Sequence, residues 1–252
     1  MITVIMTVWK RENLHEQMNA LLNQTIKPTK IWIYHCGNHV DIDLSILGLS
    51  PIIEYQYNTG NLGYFGRFSI ATLASSKYLY ILDDDVIPSL CWLEICMSLC
   101  DKLNAIISSS GRIIPKNNFF PELIANEHHI NKYFVGDNDN SSLVNLCPEN
   151  TYVDFGCNSW FLKTEWLHHF WSIKPITMLT GEDIHLSASC HRRGIKTLVP
   201  FQNGEDISGN LKKIYGWDNV ASWKKSDFYS MRENIFKYWI NTQLWKPLNW
   251  TS

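Results

Sequence analysis

From Ile2 to Ser109 the chain alternates short apolar runs with amphipathic stretches, and that rhythm restricts the fold more than any other feature. Ile2–Val8 is a continuous apolar run of the kind that forms a strand buried on both faces. Glu12–Asn23 carries Leu14, Met18, Leu21 and Leu22 on one helical side. Further strands are predicted over Ile31–Tyr34, Ile52–Tyr57, Lys77–Leu82 and Ala105–Ser109, with helices over Gly66–Ser75 and Leu90–Leu103. Strands that alternate with helices pair in parallel, because each connection must cross back over a sheet face. The expectation is an α/β fold: a mostly parallel central sheet flanked by helices, in a single domain.

The pattern loosens over Pro115–Pro148, which is rich in Asn, His, Asp and aromatic residues; a loop of that length in a compact domain is functional or mobile. Order returns with Thr151–Phe155 and Ser159–Leu162, a strand pair or one bent strand. Helices are predicted over Thr164–Trp171 and Glu182–Arg193, the latter closed by Gly194, and a strand over Lys196–Val199. The last fifty residues mix Lys-Lys pairs with Trp, Tyr and Phe and end in an aromatic helical tail.

At 252 residues and 45% hydrophobic content, the chain can bury a sizeable core. Its net charge of −2 excludes binding to nucleic acid carried mainly by phosphate contacts. Seven cysteines include no CxxC pair, and Cys91, Cys96 and Cys100 recur at near-helical spacing, as core residues do. These features favour a reduced, cytoplasmic setting. The apolar N-terminus is too short for a membrane span and lacks signal-peptide flanks, so any membrane contact would be peripheral.

Four segments carry candidate chemistry. Thr7, Trp9 and Arg11 stand where the first strand gives way to a helix. Asn58-Thr59-Gly60 begins a loop whose glycines, Gly60, Gly63 and Gly66, permit close backbone approach, and Arg67 follows with a phosphate-gripping guanidinium. Asp83-Asp84-Asp85 ends the strand Lys77–Leu82. Unpaired, three adjacent carboxylates repel one another, so a cation is expected beside them, and a divalent metal suits oxygen ligands. An acidic solvated turn is the plain alternative. Gly181-Glu182-Asp183 opens a helix, where acidic residues also suit the helix dipole.

In this order the segments resemble those of GT-A glycosyltransferases, closest in style to the family-2-like inverting enzymes. Thr7-Val8-Trp9-Lys10-Arg11 resembles that family's opening strand and nucleotide loop. Asn58-x-Gly60 with Gly66-Arg67 resembles its N-x-G…G-R-N segment, with Phe68 where Asn is usual. Leu82-Asp83-Asp84-Asp85 resembles its DxD element, and Gly181-Glu182-Asp183 its ED element. The resemblance implies a GT-A domain over residues 1–202, with a nucleotide-sugar half over about 1–112 and an acceptor half over about 113–202. Residues 203–252 would form a C-terminal aromatic and basic extension packed on the same domain.

What the resemblance implies for chemistry is transfer of a hexosyl or pentosyl group from a nucleotide-diphosphate sugar, expected to be a UDP-sugar, to a hydroxyl of a glycan or glycoconjugate acceptor. Mn2+ or Mg2+ would be held by Asp85, with Asp83 toward the ribose or a metal-bound water and Asp84 between them. The metal would neutralise the leaving diphosphate. Arg67 would add positive charge on the phosphate side, and Asp183 would take the acceptor proton while Glu182 orients acceptor hydroxyls. A second Gly204-Glu205-Asp206 repeats the ED tripeptide but is followed by loop-like residues. A catalytically silent nucleotide-sugar-binding or scaffold protein of the same fold is the alternative.

The family's acidic end on the second strand is missing here; that strand ends Tyr34-His35-Cys36-Gly37-Asn38, so Asn38, His35 or Asp41 would contact the base. Asp154 lies where related enzymes line the acceptor pocket, and Trp160 offers either a platform for a sugar face or core packing. Ser110-Gly111-Arg112 could face the donor sugar or form a strand-end turn. His128-His129 and His168-His169 are not natural zinc chelates, because neighbouring side chains on one element diverge.

Overall fold

The computed structural model describes residues 1–37, 39–115, 134–136, 146–204, 206–211 and 218–250. Among them a nine-stranded sheet forms the centre of an α/β domain. Strands β1 (Ile2–Val8), β2 (Lys30–Cys36) and β3 (Ile53–Asn58) pair in parallel, and β4 (Tyr78–Leu82) joins the other side of β1, also in parallel. Helix α1 (Leu14–Leu22) connects β1 to β2, and α2 (Gly66–Ala71) leads into β4. Chain order therefore reverses between β1 and β4. A crevice opens outside the C-terminal ends of strands at such a switch point, where α/β sheets bind their ligands.

Beyond β4 the chain continues through helix α3 (Trp92–Leu103), strand β5 (Ile106–Arg112), the short pieces β6 (Phe134–Val135) and β7 (Leu146–Cys147), which lies outside the central sheet, β8 (Thr151–Val153) and β9 (Phe155–Lys163). Then come α4 (Leu167–Trp171), α5 (Glu182–His191), β10 (Thr197–Val199), β11 (Gln202–Asn203) and α6 (Phe228–Lys237). The path across the sheet is β3-β2-β1-β4-β9-β5-β10-β8, with β6 on β5. The expectation of a strand pair or bent strand between Thr151 and Leu162 is corrected. β8 pairs with β10, whereas β9 runs antiparallel between β4 and β5. Asp154 separates the two, its carboxylate bound to main-chain groups of other segments, so the chain turns there and the strands part.

The apolar runs explain the core. Every residue of β4 is buried, as are Val4, Ile5 and Met6 of β1. Trp92, Cys96 and Cys100 recur every four residues on the buried side of α3, so these two cysteines are packing residues; none of the seven cysteines forms a disulfide. A second cluster joins Ile184 and Ala188 of α5 and Phe155 of β9 to Ile235, Phe236, Trp239 and Trp245 near the C-terminus. The first helix starts at Leu14 rather than Glu12, and α2 stops at Ala71 rather than Ser75, where Thr72 turns its hydroxyl back to Ser69 O at 2.7 Å. No helix among the described residues is long and apolar enough to cross a membrane.

Candidate functional site

The crevice at the β1/β4 switch point is a cavity of about 400 Å³. Thr7, Trp9 and Arg11 line it from the end of β1, Tyr34 and Cys36 from the end of β2, and Asp83, Asp84 and Asp85 from the end of β4. Arg67, Asn158, Met178 and Leu179 also line it, as do Trp223 and Lys225 from the C-terminal region.

The turn that follows β4 is held by its backbone. Gln17 Nε2 donates to Asp83 O at 2.8 Å, Asn13 Nδ2 to Asp84 O at 2.9 Å, and Asn210 Nδ2 to Asp85 O at 3.1 Å. Gln17 also bonds Val86 O at 2.8 Å, and Asp83 N donates to Asn158 O at 2.9 Å. With each carbonyl fixed by an amide, the three carboxylates are aimed before any ligand arrives.

Each carboxylate then meets a different environment. Asp83 pairs with Arg67, whose Nη2 also donates to Glu182 at 2.7 Å, so one buried guanidinium joins the β4 turn to the start of α5. Trp160 lies beneath it, 4.9 Å from ring centroid to guanidinium. Asp84 pairs with Arg11, which also donates to Asp218 at 2.7 Å and 3.1 Å. Asp85 has one oxygen 3.5 Å from Arg11 and the other, Oδ1, buried with no hydrogen-bond partner. Burial, with Asp83 beside it, pushes the Asp85 carboxyl up to about 8, and Arg11 only partly opposes this.

Asp183 is gripped by Arg232, Nη1 to Oδ1 at 3.0 Å and Nη2 to Oδ2 at 2.7 Å. Glu182 gives Oε1 to Arg67, and its other oxygen has no partner among the described residues. Burial and the neighbouring Asp183 push Glu182 up to about 7, against the pull of Arg67. Gly181 makes this start of α5 possible: its φ is 81°, and a Cβ there would lie 2.3 Å from Ile235 Cδ1.

Six carboxylates (Asp83, Asp84, Asp85, Glu182, Asp183, Asp218) thus face three guanidiniums (Arg11, Arg67, Arg232), leaving excess negative charge that a proton or cation would balance. The residues fit a divalent cation at Asp85, the carboxylate with a buried, unpartnered oxygen. Among the described residues no three His, Cys, Asp or Glu side chains converge as a chelate, since Asp83 and Asp84 are turned to arginines.

Thr7 Oγ1 and Trp9 Nε1 are also buried without partners. Trp9 meets Tyr64 edge-on at 6.5 Å, and Lys225 reaches Tyr64 OH at 3.2 Å while lying 5.5 Å from each ring centroid. Asn58 and Gly60 do not line the cavity; Asn58 Oδ1 accepts from Gly60 N at 3.1 Å and shapes the loop. Gly66 is needed for close approach, because a Cβ there would fall 2.1 Å from Tyr34 OH. Asn38 lies outside the described residues, as do His128 and His129.

Arg67 lines the cavity with its guanidinium paired to both Asp83 and Glu182. The other candidates meet different surroundings. Asp154 is not on the cavity wall; it accepts from Ile114 N and Leu248 N, both at 2.6 Å, and burial pushes it up to about 6. Trp160 is 1% exposed and packs in the core on Phe68, so it offers no face to an acceptor. Asp206 sits on an exposed turn with Asn203. Arg112 stacks on Phe134 at 3.8 Å, and Ser110 bonds Asn158.

Arg232 and Asp218 were not foreseen. The signal for Arg232 was present: it falls on the apolar side of α6 with Phe228, Ile235 and Phe236, where a lone arginine needs a buried partner. It lies 4.9 Å from the Phe228 ring and 5.2 Å from that of Phe155.

No protein-family model and no curated protein sequence matches the chain. Solved structures do. Residues 1–349 of TarS from S. aureus, a glycosyltransferase, superpose with a TM-score of 0.50 at 14% identity, over 79% of this chain. The chain spans 57% of that TarS structure. The likeness is one of fold: a mixed α/β domain with a mostly parallel central sheet flanked by helices, shared with a glycosyltransferase.

Proposed function

We propose that this chain is a metal-dependent, inverting glycosyltransferase that moves a hexosyl or pentosyl group from a nucleotide-diphosphate sugar, a UDP-sugar first among candidates, to a hydroxyl of a glycan or glycoconjugate. The observation that carries this reading is the meeting of two acidic segments, Asp83-Asp84-Asp85 and Glu182-Asp183, joined by Arg67 beside a cavity at the sheet's switch point. The shared fold supports it.

In this reading Asp85, with Asp83 beside it, would hold Mn2+ or Mg2+, which supplies Lewis-acid neutralisation of charge on the departing diphosphate. Trp9, Tyr64 and Lys225 form the wall against which the nucleotide rests, with Thr7 Oγ1 and Trp9 Nε1 as unspent polar atoms. Arg11 brings positive charge to the phosphate side, and Arg67 holds Asp83 and Glu182 in fixed relation. The acceptor proton goes to the Glu182–Asp183 pair. Asp183 has both oxygens on Arg232, whereas Glu182 keeps one oxygen uncommitted and its proton affinity lies near neutral pH, the range suited to a general base. Glu182 is therefore assigned the proton, and Asp183 the role of fixing the start of α5 through Arg232. One base opposite the leaving group implies direct displacement and inversion.

Titration calorimetry of UDP, GDP and dTDP, each with and without Mn2+, tests the reading. Metal-dependent affinity for one of them, lost in Asp85→Ala, is expected. No metal-dependent affinity for any would sink it and favour a catalytically silent protein of the same fold.

A further inference from the structure

β9 loses step with β5 at one place. Ser108 faces Trp160 but Ser110 faces Cys157, so two residues of β9, Asn158 and Ser159, oppose the single Ser109. Such a bulge beside a site re-aims a side chain. Asn158 carries the distortion, with a φ of 68° in the left-handed region that Asn tolerates better than most residues.

Three buried serines staple this bulge. Ser108 Oγ lies 2.9 Å from Cys157 O and 2.6 Å from Ser159 O, and Ser109 Oγ 3.4 Å from Cys157 O. Ser110 Oγ accepts from Asn158 Nδ2 at 3.1 Å. A strand interior would ordinarily be filled by β-branched or aromatic residues; here its hydroxyls are spent on one distorted neighbour. On its other side Asn158 O accepts from Asp83 N at 2.9 Å, which ties the bulge to the aspartate turn.

Asn158 is half-buried and lines the cavity beside Arg67 and Asp83. Ser110 orients the amide by taking its nitrogen, so Oδ1 is left as an acceptor with no partner among the described residues. We propose that Asn158 is a specificity-determining residue whose Oδ1 accepts a hydrogen bond from a hydroxyl or N–H group on the sugar of the nucleotide donor. This rests on the glycosyl-transfer reading and adds the part of the donor that selects it. A site built to bond a hydroxyl discriminates strongly against sugars that lack it there, because its own polar group is then left unpaired.

The test compares wild type, Asn158→Gly, which keeps the left-handed backbone, and Ser110→Ala, which frees the amide to rotate. Each is titrated in Mn2+ with UDP, GDP and dTDP, and then with the glucose, galactose and N-acetylglucosamine derivatives of whichever nucleotide binds. Affinity for the bare nucleotide should stay within about twofold, while preference among its sugar derivatives falls about tenfold or more in both variants. If bare nucleotide and sugar nucleotide weaken together, Asn158 acts only by holding Asp83 and the proposal is overturned. An unchanged ranking of sugars overturns it too, and if Asn158→Gly does not fold, Ser110→Ala decides alone. A wild type that binds no nucleotide would overturn both this and the glycosyltransferase reading.

Discussion

Arg232 closes on Asp183 with two parallel hydrogen bonds, at 3.0 and 2.7 Å, and both residues are buried. Only a planar guanidinium makes that fork, so Arg232→Lys should lower transfer at least about tenfold while the protein still folds. Arg232→Met leaves a buried carboxylate unpaired and should cost about 3–5 kcal/mol in urea unfolding. Adding Asp183→Asn to Arg232→Met should recover part of that loss; a double variant no more stable than the single would refute the pairing as the cause.

Glu182 and Asp183 separate cleanly by mutation. Glu182→Gln should keep sugar-nucleotide affinity within about threefold but lower turnover by about 10²–10⁴, the usual contribution of a general base. Wild-type kcat/KM should rise as pH passes about 7 and then level, because Glu182 must lose its proton to act. Near-normal turnover in Glu182→Gln, with loss confined to Asp183→Asn, would return the proton to Asp183.

Two buried groups away from the cavity give opposite pH responses. Asp154 is raised to about 6 by burial, so its contribution is complete below the ordinary carboxylate range and is lost as pH rises through about 6. His185, 2% exposed and 2.9 Å from Phe170 O, is lowered to about 4 by burial. Its contribution is complete above the ordinary histidine range and is lost as pH falls toward 4. Each amounts to about 2–3 kcal/mol. Relative to wild type, Asp154→Asn should gain stability between pH 4 and 6 and His185→Gln should lose the acid-side decline, both read by urea midpoints. Parallel curves would refute both assignments.

Gly181→Ala forces a side chain into a φ of 81° and against Ile235. A loss of about 1–3 kcal/mol is expected. Ile235→Ala in the same chain relieves only the overlap, so the strained backbone should still show in the melting temperature.

Much of the fold was legible because apolar period and strand–helix alternation act locally. β1, β4 and α3 fall within two residues of expectation, and the switch point follows from their order. The triplet, Arg67 and Glu182 were legible as types but not as partners, since ion pairing depends on which charges the fold brings near. Arg67 looked like a free cation because its two carboxylates lie 16 and 115 residues away. Asp154 looked like a site residue because a buried carboxylate satisfied by two backbone N–H groups leaves no trace in sequence. The bulge at Asn158 was hidden for the same reason: register belongs to a pair of strands.

The amides that hold the aspartate turn have a consequence for the order of events during synthesis. Gln17 and Asn13 leave the ribosome before the turn does, but Asn210 follows it by 125 residues, and Asp218 and Arg232 come later still. Domains fold as units, and the N-terminal part emerges first. The early half can assemble its parallel strands while Asp85 O, Arg11 and Asp183 still wait for these partners. A nascent chain would thus carry its acidic cluster in an unfinished form until α6, which holds Arg232, is made.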